Sequence, residues 1–288
     1  MDRSPLILAG LLPAILLTGC IQTIATSTVG DIVHDGFRAI TEEGDLELAA
    51  DALPANLKLL EVMLRSDPDN ETILLLLSQG YSSYALGFVE DTDPARAGVL
   101  YRRGMEYALR VLRQDEQFAR ALDGSLDDLQ AELARRGRDD VPAVFWAAFG
   151  WGGFINLSLT DPDAIAGLPQ SEALMTFVAR IDSTFYYGGA HLFLGTLFGS
   201  RPRMLGGDPD RSRRHFESAL RINGGTFLMT QVMYARSYAV QTMNEGLFDE
   251  LLAQVAQSSP DILPEMRLAN AIARKKAELL SGRKTELF

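Results

Sequence analysis

VPAVFWAAFGWGGFINLSL, residues 141–159, is an uncharged apolar stretch that contains both tryptophans of the chain, Trp146 and Trp151. An apolar stretch of this length that is not a membrane anchor must be buried, as an inner helix or as the wall of a cavity. Glycine costs about 1 kcal/mol relative to alanine inside a helix. The glycines at positions 150, 152 and 153 therefore indicate that another backbone or a ligand comes close here.

Outside this stretch, apolar residues recur with the period of a helix. The apolar run 73–88 predicts one helix, bounded by DPDN (67–70) and EDTDP (90–94), because proline cannot continue a helix and Asp or Asn caps the next one. Strand-length alternation is not convincing anywhere, so the sequence predicts an all-α fold of about twelve helices. A stripe of Leu53, Leu57, Leu60 and Leu64 predicts a helix before the run at 73–88, and the helices after it are predicted at about 95–113, 116–136, 140–157, 170–181, 189–199, 209–221, 227–243, 246–257 and 262–281.

An internal repeat relates two helix pairs. Small residues let two antiparallel helices approach, and an aromatic ring then fills the gap, as in a tetratricopeptide (TPR) unit. We therefore predict TPR-like helix pairs stacked in a compact solenoid, with residues 31–288 as a single domain. The first copy is Gly80, Asp93-Pro94, Arg96, Tyr101 and Gly104, and the second, at the same spacing, is Gly195, Asp208-Pro209, Arg211, Phe216 and Ala219.

The N-terminus has the features of a bacterial export signal. Arg3 precedes an apolar run, 6–17, that is too short to span a bilayer. The sequence LTGC (17–20) resembles a lipobox, and Cys20 is the only cysteine of the chain, which excludes an internal disulfide. We predict a lipoprotein signal peptide at 1–19, lipidation of Cys20 and a tether at 20–30. The alternatives are a plain cleaved signal or an uncleaved anchor.

Composition and motifs restrict the function. The formal net charge of -11 argues against nucleic-acid binding, because phosphate requires a basic surface. The motifs HExxH, GxxxxGK and GxSxG are missing, so we predict neither an enzyme nor a metal site, and no cofactor. The cluster of Glu90, Asp91 and Asp93 has the residue types of a cation site, but a solvated turn with Asp93 as a helix cap explains it better.

Two clusters pair aromatic residues with glycines: the stretch above and YYGGAHLF (186–193). Small-molecule sites are usually apolar pockets with a few convergent polar groups. We therefore predict a cleft or pore between the helix at about 140–157 and the segment 185–199. The alternative is that these aromatic residues form close-packed core. The candidate ligand-binding residues are Phe145, Trp146, Trp151, Asn156, Tyr186, Tyr187, His191 and Arg201.

Two other residue types have a simpler interpretation. His34 and His215 lie among charged residues, which is typical of surface histidines. Arg201 and Arg203 flank a proline in a predicted loop, where they would either contact an anionic partner or ligand or be solvated.

Several long segments together resemble the T-component of tripartite ATP-independent periplasmic (TRAP) transporters. The resemblance implies a periplasmic lipoprotein of TPR-like helices, anchored to a membrane of a Gram-negative-type bacterium, with an internal pore or cleft. It also implies a trimer that docks the solute-binding P-component, and a hydrophobic or small organic ligand. The segments are LLLLSQGYSSYALGFVEDTD (74–93), FWAAFGWGGFINLS (145–158), FYYGGAHLFLG (185–195), SRPRMLGGDPDRSRRHFESAL (200–220) and LPEMRLANAIARKKAELL (263–280).

Two function classes therefore remain from the sequence. The first is a lipid-anchored binding subunit of a solute uptake system, and the second is a structural TPR scaffold of the cell envelope. Ile21, directly after the cysteine, favours the outer membrane by the sorting rule of enteric bacteria.

Overall fold

The computed structural model describes residues 35–201 and 203–288, and within them the fold is all-α, as predicted. The chain divides between Ile40 and Thr41 into two compact units. The described part of the first unit, 35–40, is helical. The predicted signal peptide, Cys20, the tether and His34 lie outside the described residues.

The second unit contains all the helices that position the site. Two of them, α2 and α11, continue as π-helical segments, Ala85–Val89 and Tyr234–Ala239. The α-helices are α1 (Leu46–Leu64), α2 (Glu71–Tyr84), α3 (Pro94–Leu112), α4 (Glu116–Asp123), α5 (Leu126–Leu133), α6 (Val141–Leu157), α7 (Pro162–Ala166), α8 (Leu168–Ile181), α9 (Phe185–Gly199), α10 (Pro209–Asn223), α11 (Met229–Met233), α12 (Glu245–Gln257), α13 (Arg267–Gly282) and α14 (Lys284–Leu287).

The helix starts follow from local side-chain chemistry. Asn70, Asp93 and Asp208 each accept a hydrogen bond from the backbone N–H three residues on, which is the usual N-cap arrangement. The predicted helix at 116–136 is instead two helices. The reason is Gly124, followed by a capping box in which Ser125 and Asp128 satisfy each other's backbone N–H groups.

The two copies of the repeat have matching geometry. In both, an Asp-Pro pair starts the second helix, α3 or α10, with the Asp side chain as the cap. Gly195 lies against the ring of Phe216, and Gly104 lies against Ser82 on the neighbouring helix. The small residues therefore do allow the close helix approach from which the repeat was inferred, while the TPR classification itself stays a prediction.

Helix α6, which contains most of the opening stretch, is the centre of the packing. It packs against α3, α8 and α2, and nine of its seventeen residues are buried. The four leucines of the predicted stripe in α1 are also buried, as expected. Residues Glu71–Val89 have the length and mean hydropathy of a membrane span, but 61% of their most apolar window is buried inside the protein. Packing therefore accounts for their apolar composition.

Candidate functional site

A cavity of about 580 Å³ lies between α6 and α9 and extends to the two π-helical segments and α13. Its wall is mostly apolar and aromatic, and its volume is in the range of small-molecule sites. The residues that line it include Glu90, Phe145, Trp146, Phe149, Gly152, Asn156, Tyr186, Phe193, Thr196, Arg201, Phe227 and Arg236.

The glycines of α6 shape one wall. A Cβ on Gly153 would come within 2.6 Å of the ring of Tyr101, and one on Gly152 would overlap the ring of Phe193. Gly150 faces the backbone of α3, because a Cβ added there would lie 2.8 Å from the Tyr101 carbonyl oxygen. The glycines therefore admit the α3 backbone and two aromatic rings, and both rings line the cavity.

Helix α9 supplies the opposite wall, and it begins with an unusual turn. Tyr186, Tyr187 and Gly188 all have left-handed backbone angles, with φ of 48°, 58° and 80°. A left-handed residue other than glycine costs roughly 1–2 kcal/mol. The regular helix therefore starts at Gly189, which agrees with the helix predicted at 189–199.

This turn directs Tyr186 into an aromatic cluster that forms one end of the cavity. Its ring centroid lies 5.6 Å from Phe145, 5.0 Å from Trp146 and 5.9 Å from Phe227. The contacts are tilted or edge-on, which is the favourable geometry for aromatic pairs. Burial raises the pKa of the Tyr186 hydroxyl above its usual value, because the charged phenolate is disfavoured in this apolar surrounding.

The two π-helical segments and α13 bring an ionic cluster to the cavity wall, in which Glu90 and Lys276 are buried while Arg236 and Asp91 are exposed. Glu90 accepts hydrogen bonds from the Tyr101 hydroxyl (2.7 Å), Arg236 Nη1 (3.1 Å) and Lys276 Nζ (3.0 Å). Lys276 also binds Asp91 at 2.5 Å. Burial and the charge of Glu90 raise the pKa of Tyr101 well above its usual value. The prediction of a solvated turn was therefore wrong for Glu90, which is buried. The prediction that Asp93 caps the next helix, α3, is confirmed.

Arg201, just after α9, lies at another part of the wall. It is half-buried, and its Nε donates to the carbonyl of Leu197 at 3.0 Å. Its Nη2 is buried and has no hydrogen-bond partner among the described residues. Arg203, which the sequence grouped with it, is exposed.

The structure separates the predicted site residues into two groups. Phe145, Trp146, Asn156, Tyr186 and Arg201 line the cavity. The other three do not belong to its wall: Trp151 packs its indole against Gly167, Tyr187 stacks on Phe227 and donates to Glu265, and His191 faces His215.

The two histidines form a pair that the sequence did not predict. Their Nδ1 atoms are 2.9 Å apart, so one ring donates to the other. Both rings are half-buried, so placing His215 on the surface was wrong. Burial lowers the pKa of both histidines, to about 4 for His215, where the charges of His191, Arg211 and Arg214 act in the same direction.

Sequence reasoning missed Arg236 and Glu90 as parts of the wall. Arg236 is a lone arginine in a predicted helix, and nothing in the sequence pairs it with a glutamate 146 positions away. The one usable signal was Glu90 itself, since it is a charged residue directly after the apolar run 73–88.

Comparison with known proteins gives two matches. The model of the family described as TRAP transporter T-component matches residues 42–288. An uncharacterized protein of Treponema pallidum (strain Nichols) is 27% identical over 274 residues, which cover 88% of this chain and 84% of that protein.

Proposed function

The chain belongs to the TRAP transporter T-component family, and we propose that it is the lipid-anchored, periplasm-facing subunit that holds a small apolar or organic ligand for the transporter. In this proposal the ligand occupies the cavity between α6 and α9. The solute-binding subunit docks on the chain and exchanges ligand with it, so that the ligand does not cross bulk water.

The observation that carries this proposal is the cavity itself. Protein interiors are close-packed, and voids larger than a water molecule are few. Here about 580 Å³ remains open along an apolar wall. The wall keeps Tyr186 in a left-handed conformation that costs free energy. A space maintained at that cost in a chain of a transporter family is best explained by a ligand.

The test is photolabelling of the full-length protein in lipid nanodiscs with an uncharged alkyl diazirine. We expect labelled peptides from α6 and α9. Thr196 lines the cavity, so Thr196→Trp should fill part of it and reduce that labelling at least tenfold. Thr176→Trp is the matched control, because Thr176 is an exposed residue of α8 outside the wall. Equal labelling of both variants would show that the cavity is not the binding site.

The anchor is a separate part of the proposal. Cys20 is the single cysteine and stands at the lipobox position. Several acyl chains on it would hold the chain at the membrane, since each buried methylene adds about 0.8 kcal/mol. Cys20→Ser should release the protein or stall its processing. A mature-sized Ser variant that still fractionates with membranes would mean that another element anchors the chain.

The exposed face of α1 supports the proposed subunit contacts. Leu48, Leu59 and Val62 lie on one side of this helix and are 55%, 58% and 59% exposed. Such an apolar face is typical of a surface that a partner or another copy covers. Co-purification with the solute-binding subunit, and native mass spectrometry for the proposed trimer, check this part. Co-purification with envelope assembly proteins instead would favour the scaffold function.

A further inference from the structure

We propose that the ligand is an amphipathic anion whose single anionic head group binds Arg201 and whose apolar body lies along α6 and α9; this inference rests on the proposed function. A carboxylate or a phosphate monoester satisfies this description equally, because both present two oxygens to a guanidinium.

The environment of Arg201 carries the inference. An arginine stays charged in proteins, and a polar atom that is buried without a hydrogen-bond partner costs free energy, even where the rest of the side chain is only half-buried, as in Arg201. Among the described residues, Arg201 forms no ion pair, and one of its terminal nitrogens is buried without a partner. The one hydrogen bond that it donates within the described part of the chain goes to the Leu197 carbonyl in the last turn of α9. The guanidinium is therefore a cation that lacks its anion.

Glu172, the acidic side chain whose charge acts on Arg201, does not supply that anion. Burial lowers the pKa of Arg201, and the negative charge of Glu172 partly opposes this shift. However, Glu172 is already paired with Arg211 at 3.5 Å. The guanidinium of Arg211 in turn lies over the ring of Phe198, 3.7 Å from its centroid. Arg211 is not part of the described cavity wall, so its pairing with Glu172 leaves Arg201 as the cation that faces the cavity.

The other arginine in the described wall of the cavity is already neutralised. Arg236 binds Glu90, which together with Lys276 and Asp91 forms a cluster of two cations and two anions. A ligand therefore meets one uncompensated positive charge in the described wall of the cavity, and this favours a ligand with one anionic head group over a ligand with an anionic group at each end.

The position of Arg201 assigns the two ends of the ligand. One face of α9 and the two residues after it line the cavity from Tyr186 to Arg201, and the regular part of the helix, 189–199, spans about 16 Å. Tyr186 belongs to the aromatic cluster at the start of this face, and Arg201 follows its last turn. The apolar end of the ligand therefore points to the aromatic cluster, and its head group lies at the opposite end.

The exposed parts of the wall agree with this orientation. Trp146 contacts Tyr186, and Gly152 faces Phe193, so α6 and α9 run in the same general direction along the cavity. The C-terminal part of α6 then lies toward the Arg201 end, and its Asn156 and the following Leu159 are exposed. The charged head group would thus remain near water while the body is buried.

The experiment is competition against the uncharged photoprobe in the same nanodisc preparation. The competitors are octanoate, decanoate and dodecanoate, together with decanol, decylammonium, decyl phosphate and hexanedioate, and empty nanodiscs give the blank. We expect each added methylene to tighten binding about twofold to fourfold. Decanoate should compete at least tenfold better than decanol, and decylammonium should compete least.

Arg201→Gln should remove the preference for decanoate over decanol and leave competition by decanol within about twofold of wild type. Arg203→Gln is the matched control, because it removes an exposed arginine two residues away, and its preference should remain that of wild type. If decyl phosphate competes as strongly as decanoate, the inference is also supported, and the head group comes from a lipid. If decanoate competes better than decyl phosphate, the head group is a free carboxylate.

Two results would overturn the inference while the proposed function stands: equal competition by decanoate and decanol in the wild type, or tighter binding of hexanedioate than of decanoate. If Arg201→Gln still prefers decanoate over decanol as the wild type does, Arg201 does not bind the head group. If the probe itself does not label α6 and α9, the proposed function fails first.

Discussion

Gly195 of α9 lies directly against the ring of Phe216 of α10, so that a Cβ on the glycine would come within 3.0 Å of three ring atoms. The Ser212 hydroxyl also donates to the Gly195 carbonyl at 2.7 Å, which fixes the two helices at this distance. The contact joins the two positions that the internal repeat had singled out.

We expect Gly195→Leu to overpack this contact and to lower the free energy of unfolding by about 1–3 kcal/mol. The measurement is urea unfolding followed by circular dichroism. Gly282→Leu is the matched control, because a Cβ at Gly282 meets no atom within 4 Å. An unchanged midpoint for Gly195→Leu would mean that α9 and α10 are not in contact here.

The buried cluster around Glu90 predicts a larger effect. Lys276 and Glu90 are each less than a tenth exposed, and they connect the end of α2 with α13. Lys276→Met would leave Glu90 short of one cation and Asp91 without its partner. Breaking a buried pair in this way typically costs about 3–5 kcal/mol.

The control for this prediction is an exposed ion pair of the same protein. Arg120 and Glu116 are paired but their side chains are 74% and 92% exposed, so Arg120→Met should cost less than about 1 kcal/mol. Similar destabilisation by the two variants would indicate that the Glu90 cluster is hydrated in solution.

A third prediction concerns backbone strain at helix ends. Met243 has a φ of 52° just after the helical stretch that continues α11 through the π-helical segment, where its own N–H and that of Asn244 bond back to the carbonyls of Val240 and Ala239. This is the Schellman motif, in which glycine is the favoured residue. Since Met243 is 62% exposed, Met243→Gly should lose little packing and raise stability by about 1 kcal/mol.

Gly224 provides the reverse experiment. It has a φ of 60° after α10, and a Cβ there would meet open space. Gly224→Ala should therefore lower stability by about 1 kcal/mol through backbone strain alone. If both substitutions shift the melting temperature in the same direction, backbone strain is not the cause.

The parts of the fold that could be predicted are those set by nearby residues. The buried leucine stripe of α1 needs only the helical period, and the caps at Asn70, Asp93 and Asp208 need only residues three positions apart. The cavity wall was harder. Trp146 and Trp151 both belong to α6, and the turn around Gly167 on another element decides that only Trp146 lines the cavity.

The ionic cluster and the histidine pair depend on still longer-range packing. Lys276 lies 186 positions from Glu90, and His215 reaches His191 only because α9 and α10 are held together by the contact at Gly195. Local sequence marks each of these residues as charged or titratable, but it does not determine which of them meet.

The histidine pair gives the last prediction, a dependence of stability on pH. Burial lowers the pKa of His215 to about 4 in the folded protein, whereas an unfolded histidine titrates near 6.5. Between pH 6.5 and pH 4 the unfolded chain therefore binds more protons than the folded one, so stability falls as the pH falls through this window. Above pH 6.5 both states are neutral at this position, and the contribution is fully present.

Carboxylates titrate in the same range, so the test compares variants. The double variant His191→Gln/His215→Gln should lose less stability than the wild type between pH 7 and pH 5, measured by urea unfolding. In an NMR titration of the wild type, the His215 ring signal should have its midpoint well below 6.5. A midpoint near 6.5 for that signal would contradict the buried His191–His215 contact, because a solvated ring would show no depression of its pKa.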